Sequence, residues 1–234
     1  MMLKKISPSV IAYLVLLVVI IILRLMLLFF LPGQIAPQMV NLTDNLSIAA
    51  IWLLGWAGVI LGPPTGFTDM WTADVPNVRR FVYPALVGAG IGIISILFDL
   101  AQPLGNESLI KFPASLVAYP LAAILEEIIF RLFLTTVLVW IISNMLFRGR
   151  WQESIFLGVS VFLGVFYTIM QMGLYREVAG ALDLLLVVRF FTVIAVDFIL
   201  AAFFYRRYGF LAAISMRLGD YFVWHILWGA IAKV

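Results

Sequence analysis

Glu126 and Glu127 are adjacent carboxylates in the middle of a long apolar stretch, and Arg131 follows four residues after the second. A carboxylate at the centre of a bilayer costs roughly 2.5–3.5 kcal/mol on insertion scales, so the pair indicates a functional site. On a helix, Glu127 and Arg131 have the i, i+4 spacing of a salt bridge, whereas Glu126 points about 100° away. This spacing predicts that Glu127 is neutralised, while Glu126 can hold a water molecule and act as a general base. It is equally compatible with a buried ion-pair network that fixes the register of the helices.

The composition is that of an integral membrane protein. The chain has 234 residues, 65% of them hydrophobic, and a mean hydropathy of +1.14, whereas soluble domains are about 45–50% apolar. It has no cysteine and one histidine, His225, which excludes disulfides, a cysteine nucleophile and a histidine-rich zinc site. The net charge of +3 comes from scattered residues, so nucleic acid is not an expected partner. We predict neither a metal nor a cofactor, and the lipid bilayer as a partner.

Unbroken apolar runs predict an all-α polytopic bundle of about seven transmembrane helices, with eight as the alternative count. The fourth run is about 35 residues long, and one straight helix of that length would measure ~52 Å, against a hydrocarbon core of ~30 Å. This helix must therefore tilt, bend or protrude, and Pro120 offers a place for a kink. The predicted spans cover residues 10–31, 47–62, 82–101, 113–147, 154–173, 183–205 and 210–232.

The basic residues in the loops predict the orientation of the bundle. The first apolar run is too long for the core of a signal peptide, so we interpret it as a retained first span. With the N-terminus in the cytoplasm, eight basic loop residues are inside and three are outside, as the positive-inside rule expects. The C-terminus is then outside. The inner residues are Lys4, Lys5, Arg79, Arg80, Arg148, Arg150, Arg206 and Arg207, and the outer ones are Lys111, Arg176 and Lys233.

Other charged residues lie within or beside the spans. Arg189 and Asp197 are eight residues apart on one face of the sixth span, which predicts ion pairs to other helices. Asp99 lies near the end of the third span and is expected to be solvated.

The segment EEIIFR, residues 126–131, resembles the first motif of the CPBP family, the CAAX-protease and bacteriocin-processing intramembrane endopeptidases, also called the ABI family. The segment YRRYGFLAA, residues 205–213, is similar to the sequence that precedes the last motif of that family. The resemblance implies N-terminal spans over residues 1–111 and a peptidase-like core over residues 112–234, within one integral membrane domain. It also implies a prokaryotic cell membrane as the location.

The resemblance further implies a glutamic- or metallo-type endopeptidase that cleaves a peptide or a membrane-protein tail. Glu126 would activate the water, and Glu127 and Arg131 would be the orienting pair. The family has two histidines that are absent here. At the first, an aromatic residue precedes the histidine by four positions, and Tyr167 and Gln171 match this pair; a shifted match uses Phe166 and Met170.

The second family histidine precedes an Asn or Asp by four positions. Arg217 and Tyr221 match this pair, and a slip of one residue uses Met216 and Asp220 instead. Gln171 and Arg217 could replace the histidines as hydrogen-bond donors to an oxyanion.

Arg217 could instead pair with Glu126, which would turn the carboxylates and arginines into a clamp between helices. Arg217, Tyr221, Trp224 and Trp228 share one face of the last helix. This face is either the wall of a polar and aromatic cleft or an inward-packed face with a paired arginine. The expected substrate cleft comprises Tyr167, Asp220, Tyr221 and Trp224.

Two functions from different classes remain open at this point. The first is an intramembrane endopeptidase with Glu126 as its base. The second is a catalytically inactive relative that binds a membrane partner as a scaffold or immunity-type protein. A transporter is a more distant third, because neither an internal repeat nor a row of pore-lining polar residues is visible.

Overall fold

The computed structural model describes residues 7–31, 44–104, 110–179 and 181–232. Within these ranges the chain forms helices and no strand, so the predicted all-α bundle is confirmed. Large apolar side chains such as Phe29, Leu53 and Leu97 are exposed on its surface, as expected where helices face lipid. The seven helices of the described ranges are α1 Pro8–Phe30, α2 Asn45–Leu61, α3 Val78–Ala101, α4 Ser115–Leu146, α5 Gln152–Ala179, α6 Leu184–Tyr208 and α7 at residues 210–231.

Five of these helices, namely α1, α3, α4, α5 and α6, are long and apolar enough to cross a membrane. Helix α2 is apolar but shorter, and α7 carries Arg217, Asp220 and His225. The predicted spans agree with the helices to within a few residues at most ends. The exception is α5, which continues beyond its predicted end at residue 173 to Ala179. Lys4, Lys5 and Lys233, which entered the orientation prediction, lie outside the described residues.

Helix α4 accommodates its length by changing its winding. After the α-helical segment Ser115–Glu127 it becomes a π-helix over Ile128–Thr135, and a second π-helical segment covers Trp140–Leu146. The hydroxyl of Thr135 donates to the carbonyl of Phe130 at 2.7 Å. Such segments are rare and often occur at functional sites. They also occur in α6 over Phe191–Ala195 and in α7 over Phe222–Trp228.

Helices α3 and α7 approach each other closely because glycine lies at both contact points. A Cβ on Gly88 would overlap the carbonyl oxygen of Met216, and a Cβ on Gly219 would overlap the carbonyl oxygen of Ala85. Small residues at helix interfaces allow this close backbone contact in membranes. Through this contact α3 packs directly against α7 and holds it beside the charged residues of α4.

Loops group at the two ends of the bundle. At one end, Arg206 pairs with Glu153 at 2.8 Å and its carbonyl accepts the hydroxyl of Thr68 at 2.8 Å. At the other end, the amide of Gln102 donates to Asp183 at 2.7 Å. The first end also carries six arginines of helix ends and loops, namely Arg79, Arg80, Arg148, Arg150, Arg206 and Arg207.

Asp183 caps the N-terminus of α6. Its carboxylate accepts from the backbone N–H of Leu186 at 2.9 Å and from Gln102. These hydrogen bonds hold the pKa of Asp183 below its usual value, so its stabilising contribution is complete above the unfolded pKa of about 3.9 and is lost as the pH falls through the lower folded value. We expect Asp183→Ala to lower the melting temperature at neutral pH by more than it does in acid. Thermal unfolding in detergent across this pH range measures the difference.

The exposed carboxylate Glu177 provides the control for Asp183. We expect Glu177→Ala to show no comparable loss at neutral pH. A destabilisation by Asp183→Ala that stays constant down to strongly acidic pH would contradict the capping role of the ionised carboxylate.

Candidate functional site

Glu127 lies at the centre of a buried group of ion pairs. Its Oε1 atom is 3.2 Å from Nη1 of Arg131 and 3.2 Å from Nε of Arg217, and Nη1 of Arg217 also pairs with Oδ2 of Asp197. Glu127 and Arg131 have no exposed surface, and Asp197 and Arg217 are almost completely buried. We call these four residues the clamp, because they join α4, α6 and α7. The predicted i, i+4 pair between Glu127 and Arg131 is therefore formed.

Arg131 is held from a second side by α6. Its guanidinium lies 3.7 Å from the centre of the Phe198 ring, and its Nη2 donates to the carbonyl of Phe198 at 3.3 Å. A guanidinium binds well to an aromatic face when both are removed from water. Phe198 therefore contacts Arg131 through both its ring and its backbone carbonyl.

The partner of Arg217 differs from the predicted alternative. Arg217 pairs with Glu127 and Asp197, and among the described residues no Arg or Lys nitrogen lies within 4.0 Å of the Glu126 carboxylate. Glu126 instead accepts a hydrogen bond of 2.7 Å from the hydroxyl of Tyr221. The reason is that adjacent residues point about 100° apart on the helix. Only Glu127 faces the guanidinium, while Glu126 faces the next turn of α7 and is half-buried.

A polar cavity of about 180 Å³ lies beside the clamp, between α5, α6 and α7. The structure brings together at this cavity the residues that the sequence selected from α5 and α7. Those that line it are Tyr167, Gln171, Arg217, Asp220, Tyr221 and Trp224. Gln171 lies about two turns before the end of α5 at Ala179. Its side-chain amide lies 3.4 Å from the hydroxyl of Tyr167.

The residues of the alternative motif matches lie in different parts of the structure. Phe166 and Met170 are exposed on the surface of the bundle, and neither lines the polar cavity. Met216 is fully buried in the packed core. The match of Tyr167 and Gln171 is therefore the one that places polar groups at the cavity. At α7, Arg217 and Tyr221 from one match and Asp220 from the other all line it.

The predicted face of α7 is divided between two contacts. Arg217, Tyr221 and Trp224 line the cavity, whereas the indole N–H of Trp228 donates to Asp99 at 2.8 Å. His225 lies within the π-helical segment that begins at Phe222. Its side chain also lines the cavity. His225 stacks on Tyr119 with ring centres 4.3 Å apart. The cleft wall and the inward-packed face are thus both present on one helix.

A further ion pair borders the cavity. Arg189 pairs with Asp99 at 3.4 Å and donates to the carbonyl of Gln102 at 3.1 Å. The expectation that Asp99 is solvated is wrong, because both partners are buried. The ion pairs predicted for Arg189 and Asp197 are formed, with α3 and α7 respectively. The sequence could have indicated that Asp99 is buried in an ion pair, because an acid and an arginine within apolar runs need partners.

Within the described ranges, no three histidine, aspartate or glutamate side chains are close enough together to hold one metal ion. The arrangement can hold a carboxylate and its hydrogen-bond donors in fixed positions next to a small polar space.

No family model matches this chain, and neither a curated protein nor a solved structure matches it.

Proposed function

We propose that this chain is a catalytically silent, CPBP-like integral membrane protein that binds a group of a membrane partner at the polar cavity. The observation that supports this most strongly is the position of Arg217 between Glu127 and Asp197. Where the family pattern has a histidine, this chain has a guanidinium engaged in two buried ion pairs. Moving it towards an oxyanion would leave the buried Asp197 without its cation and Glu127 with Arg131 alone, and breaking a buried pair costs about 3–5 kcal/mol.

The size of the cavity limits what could bind. Pockets for drug-sized ligands measure about 300–1,000 Å³, whereas this one measures about 180 Å³. It suits a single side chain or a small headgroup rather than an extended peptide in a cleft. Its polar groups come from α3, α5, α6 and α7, and the clamp fixes α6 and α7 relative to α4, so the part of the site on α6 and α7 is preorganised.

The second candidate is an intramembrane endopeptidase, and Glu126 favours it. This is the carboxylate of the motif that lies outside the ion pairs of the described residues, and it is half-buried. Tyr221 holds it at 2.7 Å. A carboxylate that is not neutralised by a cation could activate water. Glu126 does not itself line the polar cavity but reaches it through Tyr221, and Gln171, which lines it, would have to supply the donor for the oxyanion.

For the orientation, the arginine-rich end of the bundle supports a cytoplasmic position by the positive-inside rule. In this proposal the protein lies in a prokaryotic cell membrane with the N-terminus in the cytoplasm and the C-terminus outside. The polar cavity then lies towards the outer end, because α6 begins there and supplies Arg189.

The two carboxylates of the motif should respond differently to the same substitution. We expect Glu127→Gln to lower the free energy of unfolding by about 3–5 kcal/mol, because Arg131 loses its buried counter-charge. We expect Glu126→Gln to change it by no more than about 1 kcal/mol, since only one hydrogen bond is altered. Thermal or denaturant unfolding of the purified protein in detergent measures both.

The same Glu126→Gln variant separates the two candidate functions. We expect wild-type protein in liposomes not to hydrolyse fluorogenic apolar peptides above the rate of the variant. Hydrolysis by the wild type that is lost in Glu126→Gln, with folding intact, would overturn the silent-protein proposal and support the endopeptidase.

A further inference from the structure

The charged side chains that line the polar cavity differ in whether they have an ionic partner. They are Asp197, Asp220, Arg189 and Arg217. Arg189 pairs with Asp99, and Arg217 pairs with Asp197 and with Glu127. Among the described residues Asp220 takes part in no ion pair, so it is the charged group of this lining that has no counter-charge.

Asp220 is the carboxylate whose position most requires a partner. It is 5% exposed, it lines the polar cavity, and its Oδ1 has no hydrogen-bond partner among the described residues. Oδ1 of Asp197, at the same cavity, also has none. Glu126 differs because it accepts from Tyr221. Buried carboxylates without a counter-charge or a donor are strongly unfavourable, so the cavity is suited to a positively charged group that donates hydrogen bonds.

From this geometry we infer that the polar cavity binds a primary ammonium group on an apolar stem, with Asp220 as its counter-charge. The inference rests on the proposed binding function and names the chemistry of what is bound. An ammonium has three N–H donors and no acceptor, which suits unpartnered carboxylate oxygens. An apolar part of the wall is formed by Phe190, Val193 and Ile194. An alkyl stem is compatible with that wall, whereas a fully hydrated metal ion is not.

The volume agrees with this class of ligand. A cavity of about 180 Å³ holds roughly six waters at about 30 Å³ each, which suits a short alkylammonium. The same chemistry has two sources, a free alkylamine and the lysine side chain of a membrane partner. Both place an ammonium at the end of an apolar chain.

The test uses the purified full-length protein in detergent at neutral pH, with n-butylamine as the probe and n-butanol as its uncharged counterpart. We expect butylamine to raise the melting temperature with increasing concentration and butanol to have no such effect. In Asp220→Asn, the affinity for butylamine should fall roughly 10- to 100-fold, as expected for loss of a hydrogen bond to a charged group. Asp183→Asn, at a carboxylate outside the cavity, should bind like the wild type.

A second variant keeps the test informative if Asp220→Asn does not fold. Val193→Phe fills the cavity without changing its charge, and we expect it to abolish the butylamine effect. Equal affinity for butylamine in the wild type and Asp220→Asn would overturn the inference.

Two synthetic transmembrane peptides distinguish the sources, one with a single central lysine and one with norleucine in its place. Asp220-dependent binding of the lysine peptide alone indicates a partner's side chain, and binding of butylamine alone indicates a free amine. Failure of both probes overturns the ammonium site but leaves the clamp and its predicted stabilities unchanged. Hydrolysis that depends on Glu126 would overturn the silent-protein proposal without affecting amine binding.

Discussion

Replacing Arg217 with methionine is expected to lower the free energy of unfolding by about 3–5 kcal/mol, the range for removing one partner of a buried ion pair. Glu127 would keep Arg131 as its partner, but Asp197 would lose the cation that faces it from α7. Asp197 is 1% exposed and has a carboxylate oxygen without a hydrogen-bond partner among the described residues. Its uncompensated charge should therefore dominate the loss. Denaturant unfolding in detergent measures it.

Two further variants control this experiment. Arg207→Met makes the same change at an exposed arginine at the end of α6 and should alter stability by no more than about 0.5 kcal/mol. In Arg217→Met combined with Asp197→Asn, the buried charge is removed together with its partner. This double variant should be more stable than Arg217→Met alone, and measuring Asp197→Asn as well completes the cycle that gives the coupling between the two residues. A single variant as stable as the wild type would show that the clamp does not hold the helices.

Replacing Gly88 with alanine is expected to lower stability by about 1–3 kcal/mol, as overpacking of a filled interior does. The new methyl group would meet the backbone carbonyl of Met216 rather than a side chain. A backbone atom of a packed helix cannot move away by changing rotamer, so α3 and α7 would have to separate. Gly219→Ala, which meets the carbonyl of Ala85, should behave in the same way.

Gly90 provides a matched control on the same helix. A Cβ at this position has no atom within 4 Å, and alanine favours a helix over glycine by up to about 1 kcal/mol. We therefore expect Gly90→Ala to leave stability unchanged or to raise it. Equal losses for Gly88→Ala and Gly90→Ala would mean that the two helices do not pack through glycine. Displacement of α7 in Gly88→Ala should also weaken butylamine binding, because α7 supplies Asp220.

The local features of this protein could be predicted from its sequence. The helices follow from apolar runs, because every backbone polar group in a membrane must be satisfied within its own segment. The pair of Glu127 and Arg131 follows from helical spacing, because i, i+4 neighbours face each other whatever surrounds them. The residues that the sequence analysis named on α5 and α7, such as Gln171 and Asp220, lie at one cavity, since polar residues in spans turn inward.

Tertiary structure alone decided which partner each charged residue has. The sequence offered Glu126 as the partner of Arg217, whereas the packing of α7 against α4 and α6 brings Arg217 to Glu127 and Asp197. Asp99 became buried because α6 places Arg189 against it. The π-helical segments rotate the faces of α4, α6 and α7 by amounts that hydropathy does not encode. Contacts between helices depend on these rotations and on close approaches such as that of Gly88 to Met216. That Asp220 has an oxygen without a partner among the described residues is therefore visible only in the packed structure.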